Sequence, residues 1–557
     1  MIKEKIKQNL DQILNQLKIN NIKYNLAPPV DLQFGSYTTN LALKLTQALA
    51  KNPLTIAQMI KDQYPKDKNI AKIEIAPPGF LNFYLTPACL FTEIQAINQW
   101  QKYIVPEKKK ILLEFGQPNT HKLPHIGHLF SYILGEALAR ILTQAGNQIM
   151  RLNYQGDVGL HVAKCLYAVQ KSAKNLKQLT TLEEKINFLQ QCYQIGSECY
   201  EKDPQAQIAI QLINKKIYEQ QKDILPLWQT TRAWSLDYYK FFEKKLGITY
   251  DRHYLESETS SEGLTIIKRN TPGIFQQSAG AIIFPGEDYG LHTRVFINQQ
   301  GNPTYEAKDI GLITLKIKDF APFDLSLVTT ANEQNQYWKV IIMVSELLFP
   351  NLKGKLKHLG FGMVNLTTGK MASRTGSIIS AFSLLEKVKQ EIIKNYKTTD
   401  ALAEKIAIAA IKYSFLKNEA KKNITFDIKT SIAKEGDSGP YLLYTYARIT
   451  SLLTKIPDFQ PQIEIDKPQS LTLSETELIK RIIQFPEVFA NTVKLLAPHL
   501  IINYLYKLAR EYNNFYQQVP ILKAKENKTL KLLITFLTRK IIADGLYLLG
   551  IETVDKM

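Results

Sequence analysis

Cysteine is scarce in this chain of 557 residues, with only Cys89, Cys165, Cys192 and Cys199 present. None forms a C-x-x-C pair and none stands near a histidine at metal-ligand spacing, so a structural zinc site and a disulfide framework are both unexpected. Long apolar runs are missing too: no stretch approaches the ~18 residues that span a membrane. The amino-terminal string M-I-K-E-K-I-K-Q-N-L is charged and amphipathic, unlike a secretory leader. These absences point to a soluble protein of a reducing, cytoplasmic compartment. Acidic residues are also in deficit, 51 Asp+Glu against 70 Lys+Arg, for a formal net charge of +19. That surplus favours a polyanionic partner, nucleic acid first. Heavy use of Lys, Asn and Ile throughout offers a second account, a lysine-rich composition with no partner behind it.

So long a chain exceeds one hydrophobic core, and several domains are expected. Residues 1–100 read as a small α+β unit. Met1–Ile19 and Asn40–Tyr64 have helical periodicity, and Ile70–Ile75 and Phe80–Leu85 look like strands parted by Pro77, Pro78 and Gly79. Trp100–Lys110 reads as a polar, lysine-rich link. Residues 101–385 alternate strand-like and helix-like segments, the rhythm of a doubly wound parallel sheet. A polar helical insertion covers about 162–245. From 386 to 557 the patterns are almost all helical, with a polar break at 455–470. The expected fold class is therefore a multidomain α/β protein.

Histidine is scarce as well, yet three of the eight fall in one window, His121, His125 and His128. The window follows an apolar run, Ile111–Phe115, and precedes the helical pattern of Leu129–Ala145. Strand, loop, then helix places an anion at a helix N-terminus, where unpaired N–H groups and the macrodipole attract it. Gly127 removes a side chain where a flat base can approach backbone. His125 and His128, three apart on the first turn, can donate to phosphoryl oxygens as charge builds up on them. A second string, Gly369-Lys370-Met371-Ala372-Ser373-Arg374-Thr375-Gly376, sets two cations between glycines and suits a leaving pyrophosphate. Either string alone is compatible with an ordinary surface loop.

Together they resemble the HIGH and KMSKS motifs of class I aminoacyl-tRNA synthetases, at His125–His128 and Lys370–Arg374. More narrowly, the chain resembles the arginyl-tRNA synthetases through E-F-G-Q-P-N-T-H-K-L-P-H-I-G-H (114–128), N-Y-Q-G-D-V-G (153–159), Y-E-A-K-D (305–309), G-K-M-A-S-R-T-G (369–376), G-D-S-G-P-Y-L-L-Y-T-Y-A-R (436–448) and the closing segment 496–551. F-G-S-Y-T-T-N-L-A (34–42) and P-G-F-L-N-F (78–83) resemble the family's added tRNA-binding domain. The resemblance implies a Rossmann-like catalytic domain between that amino-terminal domain and an all-α anticodon-binding domain. The implied activity is arginine–tRNA ligation, with ATP as co-substrate, Mg²⁺ accompanying it, tRNA(Arg) as partner, a monomer, and arginine activation that requires bound tRNA.

The resemblance also implies site residues. His125, His128, Lys122, Lys370 and Arg374 would serve catalysis. Pro118, Asn119, His125, Gly127, His128, Met371 and Ser373 would bind ATP. Glu114, Gln117, Asn119, Tyr305, Asp309 and Gln334 would bind arginine, with Tyr305 and Asp309 on one helical face and near the guanidinium. Glu114 and Asn119 would hold the α-amino and carboxylate end. Asn82, Tyr441, Tyr516 and Met557 would contact tRNA, and the aromatics Tyr444, Tyr446, Tyr512 and Phe515 are further stacking candidates. Two departures stand out. Tyr337 and Val340 are read where the family often has histidine and glutamine, leaving Gln334 or Gln336 to take over a contact. Ser373 stands where the wider class has its second lysine, and Lys122 fits that role. Two rivals remain: a class I synthetase for another amino acid, and a catalytically silent tRNA-binding paralogue.

Overall fold

The computed structural model describes residues 2–172, 176–367, 380–461, 470–524 and 526–557. Helix α1 (Ile2–Gln16) buries Ile2, Ile6, Leu10 and Ile13, a stripe at three- and four-residue spacing that seeks an apolar partner. The periodic stretch 40–64 divides into α2 (Leu41–Leu49) and α3 (Pro53–Gln63). Proline cannot continue a helix but is suited to its first turn. Pro53 accordingly starts α3, with the Asn52 side chain accepting the Leu54 N–H at 2.9 Å. Strands β1 (Leu26–Ala27), β2 (Tyr37–Thr39), β3 (Ile70–Ala76) and β4 (Phe80–Leu85) form an antiparallel sheet in the order β1-β2-β4-β3. Helix α4 (Pro87–Ile97) follows.

The lysine-rich link is anchored through its tryptophan. Trp100 is 1% exposed. Its ring stands 4.8 Å from that of Phe485 and 5.2 Å from that of Phe489, and its Nε1–H donates to Asp544 at 2.7 Å. Composition reveals the lysines of this segment but not the distant partners of its one indole.

The central sheet is parallel, in the order β12-β11-β5-β6-β7. The chain runs through β5 (Lys110–Glu114), α5 (Ile126–Gln144) and β6 (Gln148–Gln155). Helices α6 (Leu160–Lys171), α7 (Leu182–Lys202), α8 (Pro204–Tyr218) and α9 (Leu225–Lys245) then precede β7 (Arg252–Leu255). Next come α10 (Glu256–Arg269) and a small antiparallel sheet of β8 (Gln276–Ser278), β9 (Ala281–Phe284) and β10 (Arg294–Ile297). Helix α11 (Tyr305–Phe320), β11 (Leu325–Ala331), α12 (Asn335–Leu348) and β12 (Leu356–Phe361) complete the layer. Ile111, Leu112 and Leu113 of β5 are all buried, as expected of a strand covered on both faces. The chain leaves β5 for β6 on one side and returns later to β11 on the other. Strand order reverses there, and ligands of such sheets bind at the carboxyl ends beside that point.

Beyond β13 (Val364–Leu366) the chain is mainly helical: α13 (Ala381–Tyr396), α14 (Asp400–Leu416), α15 (Ile428–Ser431), α16 (Gly439–Leu453), α17 (Leu473–Ile483), α18 (Phe485–Leu495), α19 (His499–Gln518) and α20 (Lys528–Leu548). One short strand, β14 (Ile424–Phe426), pairs in parallel with β13. Part of the polar break at 455–470 lies outside the described residues. Among those described, no helix is long and apolar enough to cross a membrane.

Candidate active site

A cavity of about 620 Å³ opens at the carboxyl ends of the parallel strands, lined in part by Glu114, Tyr154, Ala331 and Phe361. The loop from β5 to α5 forms one wall. Gln117 and His121 hold it in left-handed turns, with φ of 54° and 63°. Its backbone is tied on every side. Gly116 N–H donates to Ser131 at 2.9 Å, Gln117 N–H to Asn153 at 3.0 Å, and Gly156 N–H to the Pro118 carbonyl at 3.1 Å. Asn119 pairs with Gly156 in an isolated parallel bridge. A Cβ on Gly156 would stand 2.2 Å from Asn119 Oδ1, so only glycine lets that side chain lie against the strand exit.

The three histidines separate into two roles. His121 is fully buried, its Nδ1 2.9 Å from Thr120 Oγ1 and its Nε2 2.8 Å from Thr231 Oγ1 on α9. Burial, and secondarily Arg232, push its pKa down to about 3. It pins the loop to α9 and is absent from the cavity lining. His125 is the N-cap of α5: its Nδ1 accepts the Gly127 N–H at 3.1 Å, and His128 Nδ1 accepts the His125 N–H at 3.2 Å. The rings stack with centroids 3.8 Å apart at 29°. Burial and the nearby Lys122 charge push His125 down to about 4. His128 is lowered well below the usual imidazole range by burial, then by His125 and Lys122. Because both Nδ1 atoms accept, both protons sit on Nε2. The pair thus offers two neutral N–H donors at a helix N-terminus, and both side chains line the cavity together with Gly127.

Glu114, Gln117, Asn119, Tyr305, Asp309 and Gln334 all line the same cavity. Lys316 pairs with Glu114 Oε2, and Gln117 Nε2–H donates to Glu114 Oε1 at 2.7 Å. Tyr305, at the start of α11, is 60% exposed, while Asp309 lies one turn deeper. Burial pushes Asp309 up to about 8, with the Glu114 and Glu256 charges adding to it and the Tyr337 hydrogen bond opposing. Pro118 is not part of the lining but holds the wall through its carbonyl. Lys122 also stays out of the lining. Its Nζ stands 5.7 Å from the Tyr193 ring, and burial lowers its pKa. Lys370, Met371, Ser373 and Arg374 lie outside the described residues.

Among the lining residues to which the sequence reading assigns no role are Tyr154, Glu256, Arg294, Glu306 and Tyr337. Tyr154 and Glu306 lie inside strings that carry the resemblance, and Tyr337 stands out as a departure whose hydroxyl donates to Asp309 Oδ2. Val340 instead points into the core and is fully buried. Gln334, rather than Gln336, reaches the cavity.

The tRNA candidates are spread over the fold. Tyr441 Oη accepts from Asn513 Nδ2 at 2.9 Å, Arg448 Nη1–H donates to Asn513 Oδ1 at 3.0 Å, and the Arg448 guanidinium lies 5.5 Å from the Tyr516 ring. Tyr441 and Tyr516 therefore belong to one linked patch on α16 and α19, with Tyr444 hydrogen-bonded to the same arginine. Tyr446 is half-buried against the core and Met557 packs there too. Tyr512 and Phe515 are fully buried and so are core rather than stacking platforms, and Asn82 is buried in its sheet at 4% exposure.

Comparison with known proteins finds three matching segments along the chain. Residues 92–428 match the family described as tRNA synthetases class I (R), catalytic domain. The chain belongs to the class I arginyl-tRNA synthetases. Residues 1–85 match the arginyl tRNA synthetase N terminal domain, and 442–557 the DALR anticodon binding domain. The arginine–tRNA ligase of Borreliella burgdorferi is 30% identical over 100% of this chain and 99% of its own length. That of Parabacteroides distasonis is 29% identical over 94% of each. The solved structure of the Thermus thermophilus arginyl-tRNA synthetase shares the fold with a TM-score of 0.79, at 24% identity and full coverage of both chains. Family membership makes this synthetase an arginine–tRNA ligase that uses ATP.

Proposed function

We propose that the cavity at the carboxyl ends of the sheet is where arginine and ATP meet, with the following division of labour. Asp309, Tyr305 and Gln334 hold the guanidinium, a planar cation with five donors. Glu114, Gln117 and Asn119 hold the amino-acid end. Asn119, Gly127, Met371 and Ser373 bind ATP, Pro118 shapes the wall behind them, and His125 and His128 donate to its phosphates. Lys122, Lys370 and Arg374 add positive charge as pyrophosphate leaves.

An arginine carboxylate oxygen attacks the α-phosphorus, and the bond to the bridging oxygen of pyrophosphate breaks. The terminal adenosine of tRNA(Arg) then attacks the arginyl carbonyl through its 2′-hydroxyl, and AMP leaves. Positioning and charge stabilisation suffice, without a covalent enzyme intermediate. Mg²⁺ enters as part of the co-substrate, carried by the ATP phosphates.

The supporting observation is the stacked pair His125 and His128, whose Nδ1 atoms are occupied by backbone donors so that both Nε2–H groups are free for a phosphate. The amino-terminal unit (1–100) and the helical unit (386–557) flank the catalytic unit (101–385) and bind tRNA, with Tyr441, Tyr516 and Met557 among the contacts, while the buried Asn82 supports the amino-terminal sheet from within. The protein acts as a cytoplasmic monomer. Arginine-dependent ATP–pyrophosphate exchange, with and without tRNA, tests the reading. Exchange only with tRNA present is the expected result. Exchange without tRNA removes the coupling, and no exchange with arginine under either condition overturns the assignment.

A further inference from the structure

We infer that Tyr337 is a specificity-determining residue of the amino-acid pocket, its hydroxyl and the Asp309 carboxylate forming one two-acceptor ledge for a guanidinium. The inference rests on reading the cavity as the arginine site.

The ledge follows from how the lining carboxylates are committed. Glu114 is paired with Lys316, Glu256 with Lys308 at 2.7 Å, and Glu306 with Arg294 at 3.2 Å. Two lining carboxylates form no ion pair among the described residues: Glu333, which is exposed to solvent, and Asp309, which lies deeper and whose close partner is a neutral hydroxyl. A half-buried carboxylate without a counter-charge is costly unless a cation arrives. The protein leaves that role to the ligand.

Tyr337 decides what sort of cation fits. Its O–H donates to Asp309 Oδ2, which leaves Asp309 Oδ1 and the hydroxyl's own lone pairs as two neighbouring acceptors. A planar guanidinium presents two N–H groups side by side and can meet both, whereas an ammonium is a compact point charge. The phenol stays protonated because burial, reinforced by the Asp309 and Glu306 charges, pushes its pKa well above the usual value. The ring is fixed as well. Arg294, itself held by Glu306, lies 5.3 Å from the Tyr337 ring centroid. Tyr337 also sits in the first turn of α12, next to the buried Trp338.

Asp309 faces Glu114 on β5, Tyr154 on β6, Glu256 on α10, Lys316 on its own helix and Tyr337 on α12. Of these, the Tyr337 hydrogen bond and the Lys316 charge favour the ionised carboxylate. Removing the hydroxyl makes Asp309 harder to ionise, and arginine binding then demands a higher pH.

The test compares full-length wild type with Tyr337→Phe, Tyr337→His and Asp309→Asn by arginine calorimetry across pH and by aminoacylation with saturating tRNA. Tyr337→Phe is expected to raise the arginine Kd and KM about tenfold, roughly the loss of one hydrogen bond to a charged group. It should leave the ATP KM within about twofold, move the pH midpoint of arginine affinity upward, and narrow the preference for arginine over lysine. Tyr337→His keeps a ring donor and should return the midpoint toward wild type. An unchanged arginine Kd and midpoint in Tyr337→Phe, with binding lost in Asp309→Asn, overturns the role of Tyr337 and leaves the cavity reading intact. Wild-type arginine binding in both variants overturns the cavity reading, and the inference with it.

Discussion

Gly311 on α11 faces Gly263 on α10 with no room for a side chain between them. A Cβ on Gly311 would stand 2.1 Å from the Thr259 carbonyl oxygen and 2.9 Å from Gly263 N, and one on Gly263 would stand 2.0 Å from the Ala307 carbonyl oxygen. The two helices therefore run backbone against backbone. Helix α11 carries Tyr305 and Asp309, and α10 begins with Glu256, which reaches back across the contact to Lys308 at 2.7 Å. Gly311→Ala should wedge the helices apart, at about 1–3 kcal/mol of stability. It should also raise the KM for arginine about tenfold while the KM for ATP stays near wild type. Steady-state kinetics beside a thermal melt checks this, and an unchanged arginine KM would show that the cavity does not depend on the contact.

His125 and His128 act as a unit, since each uses Nδ1 to satisfy a helix N–H and keeps Nε2–H for the cavity. His128→Ala should lower ATP–pyrophosphate exchange by about 10²–10³, the usual loss for one preorganised donor to developing negative charge. Affinity for tRNA should stay within about threefold. Both imidazoles are held neutral, His125 with a pKa near 4 and His128 well below the ordinary value. Protonation of this pair should therefore add no rate change between pH 7 and 5. A matching loss of tRNA affinity in a filter-binding assay would mean that His128 docks the tRNA rather than serving the chemistry.

The order of strand, loop and helix around His125–His128 was legible because periodicity and glycine placement are local properties. So was the pairing of Tyr305 with Asp309 one helical turn apart. Partners distant in sequence were not legible. Nothing near Trp100 announces Asp544, and nothing near His121 announces Thr231. A lysine-rich segment therefore reads only as a link, and His121 reads as one group with histidines whose company it does not keep. The buried pair Glu256–Lys308 and the half-buried pair Glu306–Arg294 were invisible for the same reason. Aromatic residues on amphipathic helices divide between core and surface by a rotation that sequence spacing resolves poorly, which is why Tyr512 and Phe515 were candidates beside Tyr516.

Two cations hold the carboxy-terminal turn against the insertion. Lys412 Nζ donates to the Leu246 carbonyl at 2.7 Å and to the Gly550 carbonyl, while Arg140 donates to the Gly247 and Tyr547 carbonyls, each at 3.2 Å. The accepting groups cluster at the ends of α9 and α20, where unpaired carbonyls and the helix dipoles favour positive charge. Burial, with Arg140 beside it, pushes Lys412 down to about 7. Lys412→Met keeps the aliphatic stem but orphans both carbonyls, at about 1–3 kcal/mol each where they stay buried. Amide exchange over residues 550–557 should accelerate, and the KM for tRNA should rise with little change in the KM for ATP. Exchange at the wild-type rate would show that Met557 and its neighbours are held by apolar packing alone.

With arginine held at Asp309, as proposed, its binding should release a proton. The Asp309 carboxyl is raised to about 8 by burial and by the charges of Glu114 and Glu256. The arginine guanidinium is cationic throughout the working range. The sign follows from linkage: the cation favours the ionised carboxylate, so a site that starts protonated below pH 8 loses its proton as arginine enters. Arginine affinity should rise roughly tenfold per pH unit from 6 towards 8 and then level off. At pH 7, calorimetry in two buffers of different ionisation enthalpy should report close to one proton released per arginine bound. Asp309→Asn should bind arginine at least about a hundredfold more weakly and release no proton. An affinity that is flat from pH 6 to 8 would mean that Asp309 is already ionised in the empty cavity, or that the guanidinium sits elsewhere. The Asp309→Asn variant separates those two cases, because only the first still loses arginine.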